Sequence, residues 1–197
     1  MTRTKLSTAD VVDAAVVLAD EDGLDAVSLA AIARRLGVQT PSLYSHVRDL
    51  AALRDAMTER ALGELGARIS LAIAGCSGGE ALHGFADAHR AFARDCPGRW
   101  EALQRRAGEA VAASQAARTV VALTSAVLRG YALAEEEHVH AIRLIGSTIN
   151  GFITLEARGS FDHTNPAPDA SWQRTVEALD TLLRHWPTDT THPEETR

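Results

Sequence analysis

Cysteine is scarce in this sequence, with Cys76 and Cys96 as its 2 thiols. Two cysteines cannot supply a disulfide framework or a four-cysteine zinc site, so a reducing compartment is expected. Long apolar runs are scarce as well. The first residues lack the continuous apolar stretch of a secretory signal, and the most apolar long window, Thr119 to Leu128, is too short to cross a bilayer. We therefore expect a cytoplasmic protein without a membrane partner.

The patterns of β-strands and of common catalytic sites are also missing. No segment shows the alternating, β-branched pattern of a strand, and none carries a GxSxG, HExxH, P-loop or GxGxxG motif. The 8 histidines are scattered. His138 and His140 are two positions apart, so a helix would turn their rings away from each other. The sequence therefore predicts no enzyme, no metal site and no bound cofactor.

Helical periodicity fills most of the chain instead. Apolar residues recur three and four positions apart, often with a capping residue before the run and a glycine after it, so we predict an all-α protein. The first helices are expected to start after Ser7, after Ser28, at Pro41 and after Asp49, and the first two to end at Gly23 and Gly37. Beyond a linker at 74–80, the predicted helices span about 80–95, 97–106, 108–134, 137–158 and 169–186.

This pattern divides the chain into three parts. Residues 1–50 form a predicted N-terminal three-helix, helix-turn-helix DNA-binding domain, referred to below as the head. Residues 51–187 form a predicted C-terminal helical-bundle domain for ligand binding and dimerisation, the body. Residues 188–197 are expected to be a disordered tail.

The third short helix of the head carries an unusual number of polar side chains. In a helix-turn-helix, the second helix of the pair enters the major groove and its first residues reach the base edges. Leu43 and Val47, four positions apart, would anchor this helix to the head core. The expected contacts are Gln39 with adenine, Thr40 and Ser42 as donors or acceptors, the Pro41 ring with a thymine methyl, and Tyr44 and His46 with phosphates.

The stretch "AAVVLADEDGLDAVSLAAIARRLGV", followed by "SLYSHVRDLAALRDAM", resembles the head of the TetR family of bacterial repressors. The resemblance implies a homodimer that binds a double-stranded DNA operator and responds to a small-molecule effector. Family members often carry Lys where this chain has Leu50, and Arg48 is expected to make that phosphate contact instead. The DNA-binding residues that the resemblance implies are Ser28, Gln39, Thr40, Pro41, Ser42, Tyr44 and His46, and Arg48 is added to them as the expected substitute.

The charge balance opposes this interpretation. The chain has a net charge of −6, whereas DNA-binding domains usually present a basic face. Residues 1–50 hold seven acidic side chains and only five basic ones. We therefore expect modest affinity for DNA and a shallow dependence on salt. The basic residues are Arg3, Lys5, Arg34, Arg35 and Arg48.

Two apolar stripes in the body are candidates for the dimer interface. One lies in "EEHVHAIRLIGSTINGFITLEARG" and the other in the last helix. Gly146 and Gly151 each weaken the first helix by roughly 1 kcal/mol, which the close approach of another helix would explain. The alternative is that both stripes face the subunit's own core. The candidate interface residues are Ile142, Ile145, Ile149, Phe152, Trp172, Val176, Leu179 and Leu183.

Aromatic and polar side chains among the apolar helices of the body are candidates for an effector pocket. The body resembles a C-terminal class of the TetR family that has a Trp-His-Gly-like element, with Ile149 and Asn150 here in place of Trp and His. The alternative for each candidate is a place in the core or on a solvated face. The mainly apolar set predicts an uncharged or amphipathic ligand. The candidates are Phe85, His89, Phe92, Trp100, Leu103, Gln104, Leu123, Val127 and Asn150.

The resemblance to the TetR family implies a transcriptional repressor that a small-molecule ligand releases from its operator. The fourth helix, which links head to body, is the expected lever. An activator fits the same residues. The alternative from a different class is a helical small-molecule-binding protein that no longer binds DNA, which the acidic head favours and the polar third helix opposes.

Overall fold

The computed structural model describes residues 6–187, and every regular element among them is helical. The predicted all-α class is confirmed for this part of the chain, and the predicted disordered tail lies outside it. None of the described helices combines the length and the apolar character needed to pass through a membrane. The helices are α1 (Thr8–Asp22), α2 (Leu29–Leu36), α3 (Thr40–Leu43), α4 (Leu50–Ala72), α5 (Gly78–Asp95), α6 (Pro97–Leu103), α7 (Glu109–Ala112), α8 (Gln115–Leu128), α9 (His138–Ala157) and α10 (Pro168–Arg184), with 3₁₀ turns at Leu24–Ala26 and Glu135–Glu137.

Side-chain caps start three helices where the sequence predicts them. The Ser7 hydroxyl accepts from the backbone N–H of Asp10 (3.2 Å), while the Asp10 carboxylate accepts from the backbone N–H of Ser7 (2.8 Å). Ser28 and Asp49 cap α2 and α4, each accepting from the backbone N–H three residues further on. These N–H groups have no partner inside their own helix. The capping side chain supplies one, so residues close in sequence fix where α1, α2 and α4 start.

One predicted helix, 108–134, is wrong, because the structure divides it into α7 and α8. The hydroxyl of Ser114 lies at the break and accepts from the backbone N–H of Ala117 (3.2 Å), which caps α8. A serine inside a helix competes for backbone groups in this way. After α8 the chain turns at Gly130, which packs so closely on the backbone of Gly78 that it has no room for a Cβ atom. Similarly, α6 ends at Leu103, before the predicted end at 106.

The buried apolar side chains form two clusters, one in the head and one in the body. Helix α4 contributes to both of them. Leu53 and Met57, near its start, belong to the head cluster, whereas Leu65 and Ile69 belong to the body cluster. Ala102 of α6 also lies in the head cluster. Helices α4 and α6 therefore carry the packing that joins head to body.

Polar atoms of two aromatic side chains attach α10 to the rest of the body. The indole of Trp172 is buried, and its N–H donates to the Asp87 carboxylate on α5 (2.6 Å). The Tyr131 hydroxyl donates to Asp180 on α10 (2.7 Å). Burial and the neighbouring carboxylate both raise the pKa of Tyr131, so this hydroxyl keeps its proton and remains a donor.

Candidate functional site

A sharp turn connects α2 to α3 in the head. Gly37 ends α2 in the left-handed conformation (φ 66°), which a side chain would strain. The backbone N–H of Val38 returns to the Ala33 carbonyl (3.0 Å), so the turn closes with its polar groups satisfied. Gln39 then leads directly into α3. This helix, turn and helix arrangement is the one that the sequence predicts.

Two buried side chains anchor α3 and leave its polar side chains outside. Leu43 and Val47 lie in the head cluster. Tyr44, between them, is 58% exposed. Of the other residues predicted to contact DNA, Gln39, Pro41, Ser42 and Arg48 are exposed, while Ser28, Thr40 and His46 are half-buried.

The regular part of α3 is only four residues long, and a tighter turn continues it. The backbone N–H of His46 donates to the Leu43 carbonyl (2.8 Å). The hydroxyl of Thr8, at the start of α1, donates to the His46 carbonyl (3.3 Å). The end of this segment is therefore held by α1 as well as by its own two anchors.

Acidic neighbours occupy two of the basic side chains of the head. The Nε of Arg48 donates to Asp49 (2.9 Å), and the Arg35 guanidinium binds both carboxylate oxygens of Glu21 (2.6 and 3.0 Å). The backbone N–H of Ala52 and the Arg48 guanidinium lower the pKa of Asp49, which therefore stays charged at neutral pH. These pairs reduce the positive charge that is available to phosphates.

A cavity of about 230 Å³ lies in the body between α5, α8 and α9. Its wall is mainly apolar and contains no charged side chain, and its polar groups are His89, Thr124 and Asn150. The lining residues are Phe85, His89, Val120, Val121, Thr124, Ile142, Ile145, Gly146, Ile149 and Asn150.

His89 is the one titratable side chain in that lining, and it is 8% exposed. Its Nδ1 lies 2.8 Å from the Phe85 carbonyl one turn earlier. Its ring packs on the Phe85 ring and meets Trp100 edge-on, with centroid distances of 4.4 and 6.3 Å. Burial lowers the pKa of His89 against the opposing effect of the hydrogen bond, so the imidazole is neutral at neutral pH.

A second cavity, of about 380 Å³, lies beside the first between α5, α6 and α9. Trp100 and Gln104 are on its wall together with two charged residues, Glu101 and Arg158. The Gln104 amide donates to the Asn150 oxygen (3.2 Å). Because Gln104 lines this cavity and Asn150 lines the first, their hydrogen bond lies between the two.

Comparison with known proteins identifies the family of this chain. The pattern of bacterial regulatory proteins of the tetR family matches residues 11–57, and that of the tetracyclin repressor-like C-terminal domain matches residues 82–179. An uncharacterised HTH-type transcriptional regulator of Mycobacterium tuberculosis is 33% identical, over 80% of this chain and 73% of its own length. The chain belongs to the TetR family of transcriptional regulators.

Solved structures share the fold of this TetR-family chain. A protein of unknown function from Rhodococcus sp. RHA1 has a TM-score of 0.74 at 21% identity, and the match covers 92% of this chain and 97% of that one. A TetR variant from Acinetobacter baumannii, in complex with minocycline, has a TM-score of 0.67 at 23% identity, covering 93% and 100%. At such identities the likeness establishes the fold and nothing about the ligand.

The predicted pocket residues of this TetR-family protein fall into three groups. Phe85, His89 and Asn150 line the first cavity, and Trp100 and Gln104 line the second. The remaining four lie on neither wall. Phe92 is fully buried with the Arg68 guanidinium over its ring, Val127 lines a third cavity, and Leu103 and Leu123 pack on the core from outside.

The sequence predicts a contribution of α8 to the pocket through Leu123 and Val127, but a different face of this helix lines the first cavity. Val120, Val121 and Thr124 line it from this helix. The signal that could have identified this face is Thr124, a hydroxyl within the most apolar window of the chain. Its spacing of three and four from the two valines places all three side chains on one side of α8.

Most of the side chains predicted for the dimer interface are buried within the subunit. Both stripes face the subunit's own core, which was the alternative. Their side chains belong to the hydrophobic cluster of the body or pack against it. Phe152 is half-buried against Phe161 and Trp172, and Ile142 lines the first cavity. The six that are at most 5% exposed are Ile145, Ile149, Trp172, Val176, Leu179 and Leu183.

Helix α6 connects the second cavity to the head. Gly98 lies against the backbone of Ala19 at the end of α1, where a Cβ atom would have no room. The guanidinium of Arg99 donates to Asp20 of α1 (2.7 Å) and contacts Glu64 of α4. Trp100, on the same helix, lines the second cavity. A displacement of α6 at the cavity would therefore act directly on α1.

Proposed function

We propose that this TetR-family regulator is a repressor that binds its operator as a homodimer and is released by a small molecule in the first cavity. The observation that carries the proposal is the combination of an exposed polar α3 on two buried anchors with a cavity whose Asn150 accepts a hydrogen bond from Gln104, the residue that follows α6. It is proposed to act without catalysis and in the cytoplasm, where bacterial DNA is found.

The proposed DNA contacts are those that the exposed side chains of the head allow. Gln39, Pro41 and Ser42 are placed for base edges, and Tyr44 for a phosphate oxygen. Ser28 is proposed to act mainly through the cap of α2, since its hydroxyl already accepts from the Ala31 N–H (3.2 Å). The contacts of Thr40, His46 and Arg48 complete the proposed interface.

The outer faces of α9 and α10 are the proposed dimer surface. They expose Val139 (52%), Leu155 (46%) and Leu182 (41%) to solvent. A Cβ atom added at Gly146 or Gly151 would meet nothing within 4 Å in the subunit. Gly146 lines the first cavity, where the missing side chain leaves space within the subunit. Packing within the subunit gives no such reason for the exposed Gly151, whereas close approach of a second copy does. Two heads would then read half-sites roughly 34 Å apart.

Release requires a ligand that binds the DNA-free arrangement better than the DNA-bound one. A molecule in the first cavity would press on α8 and α9 and on the hydrogen bond between Gln104 and Asn150. Gln104 directly follows α6, whose Gly98 and Arg99 hold α1. The proposed path to the head therefore runs through α6, with α4 as the shared support.

A helical small-molecule-binding protein without DNA binding is the second candidate. The pairing of Arg35 with Glu21 and of Arg48 with Asp49 favours it. The exposure of Tyr44 and Gln39 around two buried anchors opposes it, because a head that only supports the body has no use for this surface.

DNA binding by the full chain decides between these candidates. Selection from a random duplex pool at low salt is expected to enrich a palindromic sequence. Tyr44→Ala should then weaken binding of that sequence roughly tenfold or more, since a hydrogen bond to a charged group contributes about 1.5–3 kcal/mol. Tyr44→Phe, which keeps the ring, separates the hydroxyl from the aromatic contact.

The same variants provide the control. Sedimentation should show an unchanged dimer for both, since Tyr44 is on the head and the proposed dimer surface is on α9 and α10. A pool in which no sequence is enriched would contradict the repressor proposal and leave the second candidate.

A further inference from the structure

The hydrogen-bonding capacity of the first cavity is uneven. Thr124 donates its hydroxyl proton to the Val120 carbonyl (2.9 Å), so only its lone pairs remain. The Asn150 amide nitrogen donates to the Gly146 carbonyl (2.7 Å), and its oxygen accepts from Gln104. What remains in this wall is mainly acceptor capacity, with one N–H of Asn150 as the remaining donor.

The ring nitrogens of His89 have different roles. A carbonyl oxygen can only accept, so the short contact with Phe85 means that Nδ1 carries the proton. In the neutral ring Nε2 is then a bare acceptor. It has no hydrogen-bond partner among residues 6–187, although the side chain is nine-tenths buried and lines the cavity. Among the described residues, Nε2 is not one of the fully buried side-chain atoms that lack a partner, so it is accessible, and a donor from a ligand in the cavity that His89 lines can reach it.

We propose that the cavity binds a small, uncharged, single-ring molecule of the phenol class, whose O–H donates to Nε2 of His89. The apolar wall formed by Val120, Ile145 and Ile149 would then cover the ring. The inference rests on the proposed function only in taking this cavity as the effector site.

Charge and size set the limits of this ligand class. The lining holds no arginine or lysine to pair with an anion and no carboxylate to pair with a cation, and burying an unpaired charge is strongly unfavourable. The volume of about 230 Å³ is below the roughly 300–1,000 Å³ of cavities for drug-sized ligands. One ring with a hydroxyl group fits both limits.

Three probes of similar size test the proposal by calorimetric titration of the full chain without DNA. Phenol has a donor, anisole replaces the donor by a methyl ether, and benzoate is an anion. Phenol is expected to bind about tenfold more tightly than anisole, the effect of one hydrogen bond, while benzoate does not bind. Equal binding of phenol and anisole, preferred binding of benzoate, or no binding of phenol would each overturn the proposal.

His89→Phe keeps an aromatic ring and removes the acceptor, so it should reduce the ratio of phenol to anisole affinity to about one. His163→Phe is the matched control, since it makes the same exchange at an exposed histidine outside the lining, and it should keep the ratio. Circular dichroism checks that both variants are folded. If His89→Phe does not fold, the ratio of phenol to anisole affinity in the wild-type protein still tests the proposal. Because no DNA is present, failure here leaves the operator proposal intact, and failure of operator binding leaves this result intact.

Discussion

At the scale of single residues, Arg90 in the body is the buried arginine of the described residues. The Arg90 side chain is 7% exposed. Its guanidinium binds both oxygens of Glu156 (2.9 and 2.5 Å) and lies over the rings of Trp172 and Phe152. The Arg90 and Arg94 guanidinium groups lower the pKa of Glu156 against the effect of burial. Arg90 thus connects α5 to α9 and α10.

Arg90→Ala is expected to lower the free energy of unfolding by about 1–3 kcal/mol, because Glu156 loses its bidentate partner and keeps only the contact with Arg94. Urea denaturation followed by circular dichroism measures the change. Arg174→Ala is the matched control: its pair with Glu177 is on the surface of α10, so its loss should change stability by at most about 0.5 kcal/mol. Equal effects of the two variants would contradict this view of Arg90.

At the scale of elements, α6 is the helix whose position matters most for communication between cavity and head. It is only seven residues long, too short to be stable alone. Contacts with its neighbours hold it in place, namely Gly98 on α1, Arg99 between α1 and α4, and Trp100 at the second cavity. An element held in this way is able to shift when one of its contacts changes.

Gly98→Ala is expected to destabilise the protein by about 1–3 kcal/mol, because the new methyl group overlaps the backbone of Ala19 and forces α6 away from α1. Gly63→Ala is the control, since Gly63 of α4 has nothing within 4 Å of a new Cβ. That variant should gain roughly 0.5–1 kcal/mol from helix propensity. Urea denaturation of both would show the opposite signs, and a stabilised Gly98→Ala would disprove the tight contact.

The outer face of α9 gives a second prediction at this scale. Leu155→Arg should convert the proposed dimer into a monomer, because it places a charge in an interface of apolar side chains and glycines. Sedimentation velocity measures the mass. Leu71→Arg, on an 81% exposed leucine of α4 away from this face, should leave the dimer unchanged. A Leu155→Arg protein that sediments like the wild type would show that α9 is outside the interface.

At the scale of the whole molecule, charge distribution matters more than net charge. The chain carries −6, and Glu21 and Asp49 each bind an arginine of the head. Within the described residues, Arg34 is an exposed basic side chain of the head without an ion pair. Affinity for phosphates should therefore be limited by these two carboxylates more than by the acidic body.

Asp49→Asn tests this limit, because asparagine caps a helix about as well as aspartate while it releases Arg48. We expect tighter operator binding and a steeper salt dependence, by about 0.9 in the logarithmic slope for each added phosphate contact. Fluorescence anisotropy at several salt concentrations measures both. Glu177→Gln makes the same charge change on α10 and should leave the slope unaltered. An unaltered slope for Asp49→Asn would remove Arg48 from the phosphate contacts.

The sequence by itself determined the helical class, the starts of α1, α2 and α4, and the anchored, outward-facing α3. These features depend on interactions within a few residues, such as the caps at Ser7 and Ser28 and the spacing of Leu43 and Val47. Local patterns therefore predict them.

Only the tertiary structure decided which face of each body helix is covered. The stripe through Ile145 and Ile149 has the same periodicity whether it meets its own core or a second subunit, so periodicity could not choose between them. The cavity depends on side chains from three helices, and Thr124 lines it only because α8 packs beside α5 and α9. The free Nε2 of His89 likewise depends on how other helices pack around this side chain, which local sequence patterns do not predict.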